Sequence, residues 1–104
     1  MPSGEGHIYV KLCVNIREHL TELKATDSVV FIALATRINS DGVCFPSLRT
    51  LGRETGFTRS TVLRSIRRLE DIGWLLRVDR SYRRGGWHAV NKYHLTNRFV
   101  EFGK

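Results

Sequence analysis

FPSLRTLGRETGFTRSTVLRSIRRLEDIG, residues 45 to 73, reads as two helices joined by a tight turn. Pro46 holds Phe45 extended, and Ser47 then stands where a side-chain oxygen caps a first helix turn. Leu48, Leu51 and Thr55 share one face of that short helix. Gly52 puts the smallest side chain where a second helix has to cross, and Gly56 allows a sharp turn with positive φ. Thr58 is in place to cap the longer helix. With Val62, Ile66, Leu69 and Gly73 turned to a core, a rotation of about 100° per residue sends Ser60, Arg64, Arg67 and Asp71 outward, flanked by Arg59 and Arg68. The outward face is basic at its beginning and middle and acidic at its end. The positive end of the helix dipole and its free amides add to the basic half, which is how a helix looks when it lies against phosphates.

The charge of the chain repeats this asymmetry. Of a net charge of +7 over 104 residues, positions 1 to 46 carry −1, positions 47 to 88 carry +6 and positions 89 to 104 carry +2. An excess confined to one stretch favours a polyanionic partner over a uniformly soluble surface. The length suits one compact domain with one modest core. The first residues lack a basic start followed by a long apolar run, and no window approaches a membrane span. A soluble, cytoplasmic chain without membrane contact is therefore expected. Cys13 and Cys44 are far apart with no CxxC spacing, so two reduced thiols are expected, with no metal site and no cofactor. His7, His19, His88 and His94 show no shared spacing. The chain contains no GxSxG, HExxH, paired-carboxylate or glycine-rich phosphate-loop pattern, and it is read as not an enzyme.

Around the helix pair, the remaining chain divides into a flexible start (1–7), an N-terminal extension (8–24), a core (25–95) and a C-terminal extension (96–104). Ile8, Val10 and Leu12 alternate with polar neighbours and predict a short strand with one buried face. Ile16, Leu20 and Leu23 then predict a short amphipathic helix, its near-neutral polar face (Arg17, Glu18, Glu22) either solvated or packed on a partner subunit. Thr26 or Asp27 is expected to cap a helix whose apolar run extends from Val29 to Ile38, with Val30, Ala33, Leu34 and Ile38 as its densest stripe. Asn39 to Gly42 is a turn, and Val43 to Phe45 a very short extended segment available to pair with a later hairpin. Beyond Gly73, Trp74 to Arg80 and Trp87 to Leu95 predict a hairpin with a polar, basic tip at Ser81 to Gly86, and Val90, Tyr93 and Leu95 available to the core. Trp87 either braces that loop or packs under it. Phe99, Val100 and Phe102 make the last residues too apolar for a free tail; they dock, or lead into a further domain.

This order of elements, together with FPS, TG, TVxRxIxxLExxG and NxYxL, resembles the winged helix-turn-helix modules near the N-termini of phage and plasmid replication initiators and replisome organisers. The resemblance covers about Leu23 to Leu95. It implies an α+β fold: a three-helix core, a small antiparallel sheet whose hairpin is the wing, and here an extra N-terminal strand and helix. It also implies duplex DNA as partner, with a recognition helix (58–72) in the major groove and a basic wing (80–88) beside it. Gly52 departs from the alanine more usual there, which weakens the short helix by up to about 1 kcal/mol.

On that reading Arg59, Ser60, Arg64 and Arg67 reach base edges or groove walls, Ser47, Arg49, Thr61 and Arg68 hold phosphates, and Arg80, Arg83 and Arg84 anchor the wing. The chief rival makes the same fold a protein-interaction module, its basic face against an acidic partner and its N-terminal extension a dimer interface. A homodimer and a replication or transcription partner protein stay open on either reading. RNA or single-strand binding is disfavoured, because the aromatic residues fall mostly at core-like positions rather than on a stacking sheet.

Overall fold

The computed structural model describes residues 10–83 and 89–101, without the side chains of 81–83. In chain order these form β1 (Lys11–Leu12), two 3-10 turns (Val14–Glu18, Leu20–Glu22), α1 (Ala25–Ala35), β2 (Val43–Cys44), α2 (Leu48–Thr55), α3 (Arg59–Asp71), β3 (Leu75–Arg83), β4 (Val90–Leu95) and β5 (Val100–Glu101). The fold is α+β, with three helices and two small antiparallel sheets, in the arrangement expected of a helix-turn-helix with an attached hairpin.

Each helix turns an apolar stripe inward, although in α1 Phe31 and Ala35 take the buried places beside Val30 and Leu34, and the expected Ala33 and Ile38 are only partly buried. Val30, Phe31, Leu34 and Ala35 of α1, Leu48 and Leu51 of α2, and Val62, Ile66 and Leu69 of α3 are buried together. The sheet closes over them in the order β2-β4-β3. The predicted pairing of Val43 and Cys44 with the hairpin is present, against His94 and Tyr93 of β4. Tyr93 and Leu95 are buried as expected, but Val90 is only partly so and Asn91 takes the inner position. A period of two allows one parity: 91, 93 and 95 share a face, and 90 belongs to the other.

The hairpin differs from expectation at both ends. Trp74 is the fully buried corner between α3 and β3 instead of a strand residue. Gly73, at φ 86°, lets the chain leave the helix there, and the Trp74 amide reaches back to the Leu69 carbonyl at 2.9 Å. This is the bond that closes a glycine-terminated helix. β3 runs to Arg83, so Ser81 to Arg83 continue the strand where a loop tip is expected. The register shifts between Leu75 and Arg77, leaving Leu76 and Arg77 both exposed, the mark of a bulge. Arg84, Trp87 and His88, like His7, Ile8 and Phe102, lie outside the described residues.

The N-terminal extension is less regular than its spacing suggests. β1 is two residues long, and Leu12 is 58 % exposed. The segment expected to form an amphipathic helix is two 3-10 turns, closed by bonds such as His19 N–H to Ile16 O (2.9 Å) and Leu23 N–H to Leu20 O (3.1 Å). The tighter turns still deliver Ile16 and Leu23 to the core and leave Leu20 outside. α1 begins after Lys24, two residues before the first expected cap, and ends at Ala35 rather than Ile38. Asp27 nevertheless serves that first turn from within, its Oδ2 accepting the Lys24 amide at 3.0 Å.

The C-terminal extension docks. Phe99 and Val100 are fully buried, and β5 pairs with β1. Phe99 packs on Trp74 with ring centroids 4.4 Å apart, Trp74 meets Phe31 edge-on at 5.1 Å, and the Trp74 indole N–H donates to Glu22 Oε1 at 2.9 Å. That bond, with a second from His19, holds the Glu22 carboxyl below its ordinary value. Cys13 and Cys44 are both free thiols, and burial raises Cys44 to about 12.

Candidate nucleic-acid interface

Two caps and one glycine fix the geometry of the helix pair. Ser47 Oγ accepts the Thr50 amide at 3.0 Å, and Thr58 Oγ1 accepts the Thr61 amide at 3.3 Å. Each cap contributes about 1 kcal/mol. Between them Gly56 adopts φ 77° as the last residue of α2's cap, as the sequence predicts. The hairpin's return strand closes over the start of α2, where the Leu48 amide donates to Ala89 O at 3.0 Å and Ser47 bridges Val90. The start of α2, the whole of α3 and the hairpin are thereby held as one surface.

On α3, Arg59, Ser60, Arg64, Arg67 and Asp71 are exposed, as the helical rotation requires. Among the described residues, Arg59, Arg64 and Arg67 have no ion-pair partner. Arg49 is exposed on α2, and Ser47 and Thr61 are partly exposed. Thr61 Oγ1 receives a bond from Thr58 Oγ1 at 3.1 Å, which leaves its own proton to donate outward, whereas the Ser47 hydroxyl donates to Thr50 Oγ1 at 3.0 Å.

Two of the candidate arginines are tied down. Arg68 donates from Nε to Asp27 Oδ2 at 2.9 Å, with Asp27 itself buried. Burial opposes ionisation of Asp27, but the bonds from Arg68, the Lys24 amide and Ser65 outweigh it and hold the carboxyl below its ordinary value of 3.8. Arg80 donates from Nη2 to Glu70 Oε1 at 2.9 Å, joining β3 to the last turn of α3. Glu70 is thus more than an acidic end to the face. It adds one more tie between the hairpin and α3. Arg83 ends β3, its side chain outside the described atoms, and Arg84 lies outside the described residues.

Asp27 as a partner of the α3 face and Glu70 as a partner of the hairpin are not legible in the sequence. Neither pairing has a local signal, since Asp27 and Arg68 are 41 positions apart and Glu70 and Arg80 are 10 apart across a turn. Among the described residues no cluster of metal-ligating side chains occurs, and no described helix is long and apolar enough to cross a membrane.

Two capped helices meeting at a glycine turn, the second presenting unpaired arginines beside an antiparallel hairpin, define a helix-turn-helix DNA-binding domain. The model of one such family, described as "Helix-turn-helix domain", matches residues 21–75. The chain belongs to that family. It is also similar to Protein YmfN of Escherichia coli (strain K12), with 37 % identity over 75 residues that cover 69 % of this chain and 16 % of YmfN. The chain therefore spans only a small part of that curated relative's length. No solved structure matches it.

Proposed function

We propose that this domain binds duplex DNA sequence-specifically, as a binding module and not an enzyme, with the first half of α3 in the major groove and the hairpin as a wing along the adjoining backbone. The observation that carries this reading is the state of the α3 face: Arg59, Arg64 and Arg67 are exposed on a capped helix without ion partners among the described residues, while of the two acids at its far end Glu70 is occupied by Arg80. Arg59, Ser60, Arg64 and Arg67 then read base edges, Ser47, Arg49, Thr61 and Arg68 hold phosphates, and Arg80, Arg83 and Arg84 follow the backbone. The resemblance to replication-initiator modules supports a place in replication initiation or transcriptional regulation, in the cytoplasm, with a homodimer or a further protein partner compatible with either.

The test is a binding titration against salt. With about five phosphates neutralised, affinity falls roughly 500-fold between 50 and 200 mM salt. An isotherm indifferent to salt would refute the phosphate contacts, and a protein that ignores random duplex at low salt would favour the protein-interaction reading. Selection of bound duplexes from a random pool then reports specificity, half-site symmetry and spacing together, with two-fold half-sites about 34 Å apart or a multiple of that if the protein binds as a dimer.

A further inference from the structure

The two flanks of α3 are not equivalent. At about 100° per residue, Arg68 and Glu70 lie roughly 160° apart around the helix. Glu70 marks the flank that carries the hairpin. On the other flank, a cleft of about 470 Å³ opens between α3 and the start of α1, lined by Lys24, Thr26, Asp27, Thr61, Arg64, Ser65 and Arg68. Two arginines of α3 and Lys24, just before α1, converge there with the hydroxyls of Thr26 and Thr61, against the single charge of Asp27.

Asp27 is the one acid lining this cleft; its Oδ1 has no hydrogen-bond partner among the described residues, and its charge is met by an arginine. It is buried, and it takes Nε of Arg68. The terminal nitrogens of Arg68 have no partner among the described residues, and 40 % of that side chain remains exposed. An arginine fixed through Nε with both terminal nitrogens open is pre-organised: part of the entropy cost of ordering it on a ligand is met in the free protein. Lys24 is exposed at the cleft mouth, one residue before α1 begins.

We propose that this cleft seats a backbone phosphate of the DNA strand opposite to the one the wing follows, with Lys24, Thr26 and the terminal nitrogens of Arg68 as its contacts and Asp27 as the positioning residue. The inference rests on the duplex-binding reading above. It extends the DNA-contacting surface to α1, so that the recognition helix is gripped from both sides.

The experiment uses the full chain and a duplex carrying the preferred site. Lys24→Ala, an exposed change that leaves the core intact, lowers the magnitude of the log–log salt slope by about 0.9 and weakens preferred and random duplexes alike, by about eight-fold at 0.1 M salt relative to 1 M. Single neutral methylphosphonate linkages, moved along each strand, then identify one position whose substitution weakens the wild type more than it weakens Lys24→Ala, which keeps Thr26 and Arg68 there. Wild type and Lys24→Ala with the same slope and the same affinity overturn the proposal. So does a Lys24→Ala protein that keeps the duplex slope but loses thermal stabilisation by inorganic phosphate, which assigns the cleft to a free anion. A wild type that binds no duplex refutes the functional reading itself, and is told apart because the cleft proposal fails only when the wild type binds and Lys24→Ala matches it.

Discussion

The first half of α3 and the base of the hairpin are both rich in arginine, yet the structure uses the residue in opposite ways. On α3, Arg59, Arg64 and Arg67 face solvent with no ion-pair partner among the described residues. On β3, Arg77 is clamped by Asp79 at 3.0 Å and Arg80 by Glu70 at 2.9 Å, and Asp79 is held in turn by His94. The bond from His94 and those from Arg77 keep the Asp79 carboxyl below its ordinary value. An unpaired guanidinium on a rigid helix keeps its five donors for a ligand. The Arg80–Glu70 pair ties the hairpin to α3, whereas Arg77, Asp79 and His94 pair with one another within the sheet. On the proposed reading, arginine count overstates the contact surface, and pairing divides it into a reading part and a building part.

The divide runs through α3 itself, and its largest expected effect lies there. Asp27→Ala removes both the bond to Arg68 and the acceptor that caps α1, and lowers stability by about 2 kcal/mol, since Arg68 is partly exposed and recovers hydration. Denaturant unfolding measures it. Because the folded carboxyl titrates below its ordinary value of 3.8, its contribution is fully present above that value and is lost as pH falls through the folded value. The gap between wild type and variant should therefore close in acid. A gap that widened in acid would remove Asp27 from the building part.

Arg64→Ala comes next, and it should leave stability untouched. It costs about 1–3 kcal/mol on the preferred duplex if the side chain bonds guanine in bidentate fashion, and less on random sequence. Comparative titrations on the two duplexes decide it. Equal losses on both would demote Arg64 from reading bases to holding phosphate.

How much of this was legible in the sequence follows from range. The helix pair was readable almost to the residue, because caps at Ser47 and Thr58, a positive-φ glycine at 56 and an apolar period of 3.6 are all local signals. The outward arginines came with them. What was missed depends on contacts between distant segments. Trp74 read as a β-former, although its indole anchors the N-terminal turns through Glu22 and the C-terminal extension through Phe99. Period alone did not distinguish a short α-helix from two 3-10 turns at residues 14 to 22, since either brings Ile16 and Leu23 inward. The partners of Arg68 and Arg80 were invisible for the same reason. Sequence shows that an arginine faces outward and says little about whether a carboxylate is waiting there.

Arg80 gives the smallest effect and the closest test of the comparison. Its charge placed it with the wing's DNA contacts, while its bond to Glu70 makes it part of the frame, and the two roles leave different traces. As a frame residue it is half-exposed, with 49 % of its side chain accessible, so its ion pair contributes at most about 1 kcal/mol. Arg80→Ala should lower stability by that much or less, and Glu70→Gln should match it, since either change removes the same pair. On DNA, Arg80→Ala should weaken preferred and random duplexes equally, through loss of one backbone charge and a looser wing. Glu70→Gln instead keeps Arg80 and removes a nearby negative charge, so it should bind at least as tightly as the wild type at low salt. A sequence-dependent loss in Arg80→Ala would move Arg80 onto the reading side, and the division between helix and hairpin would then lie one strand further out than the ion pairs place it.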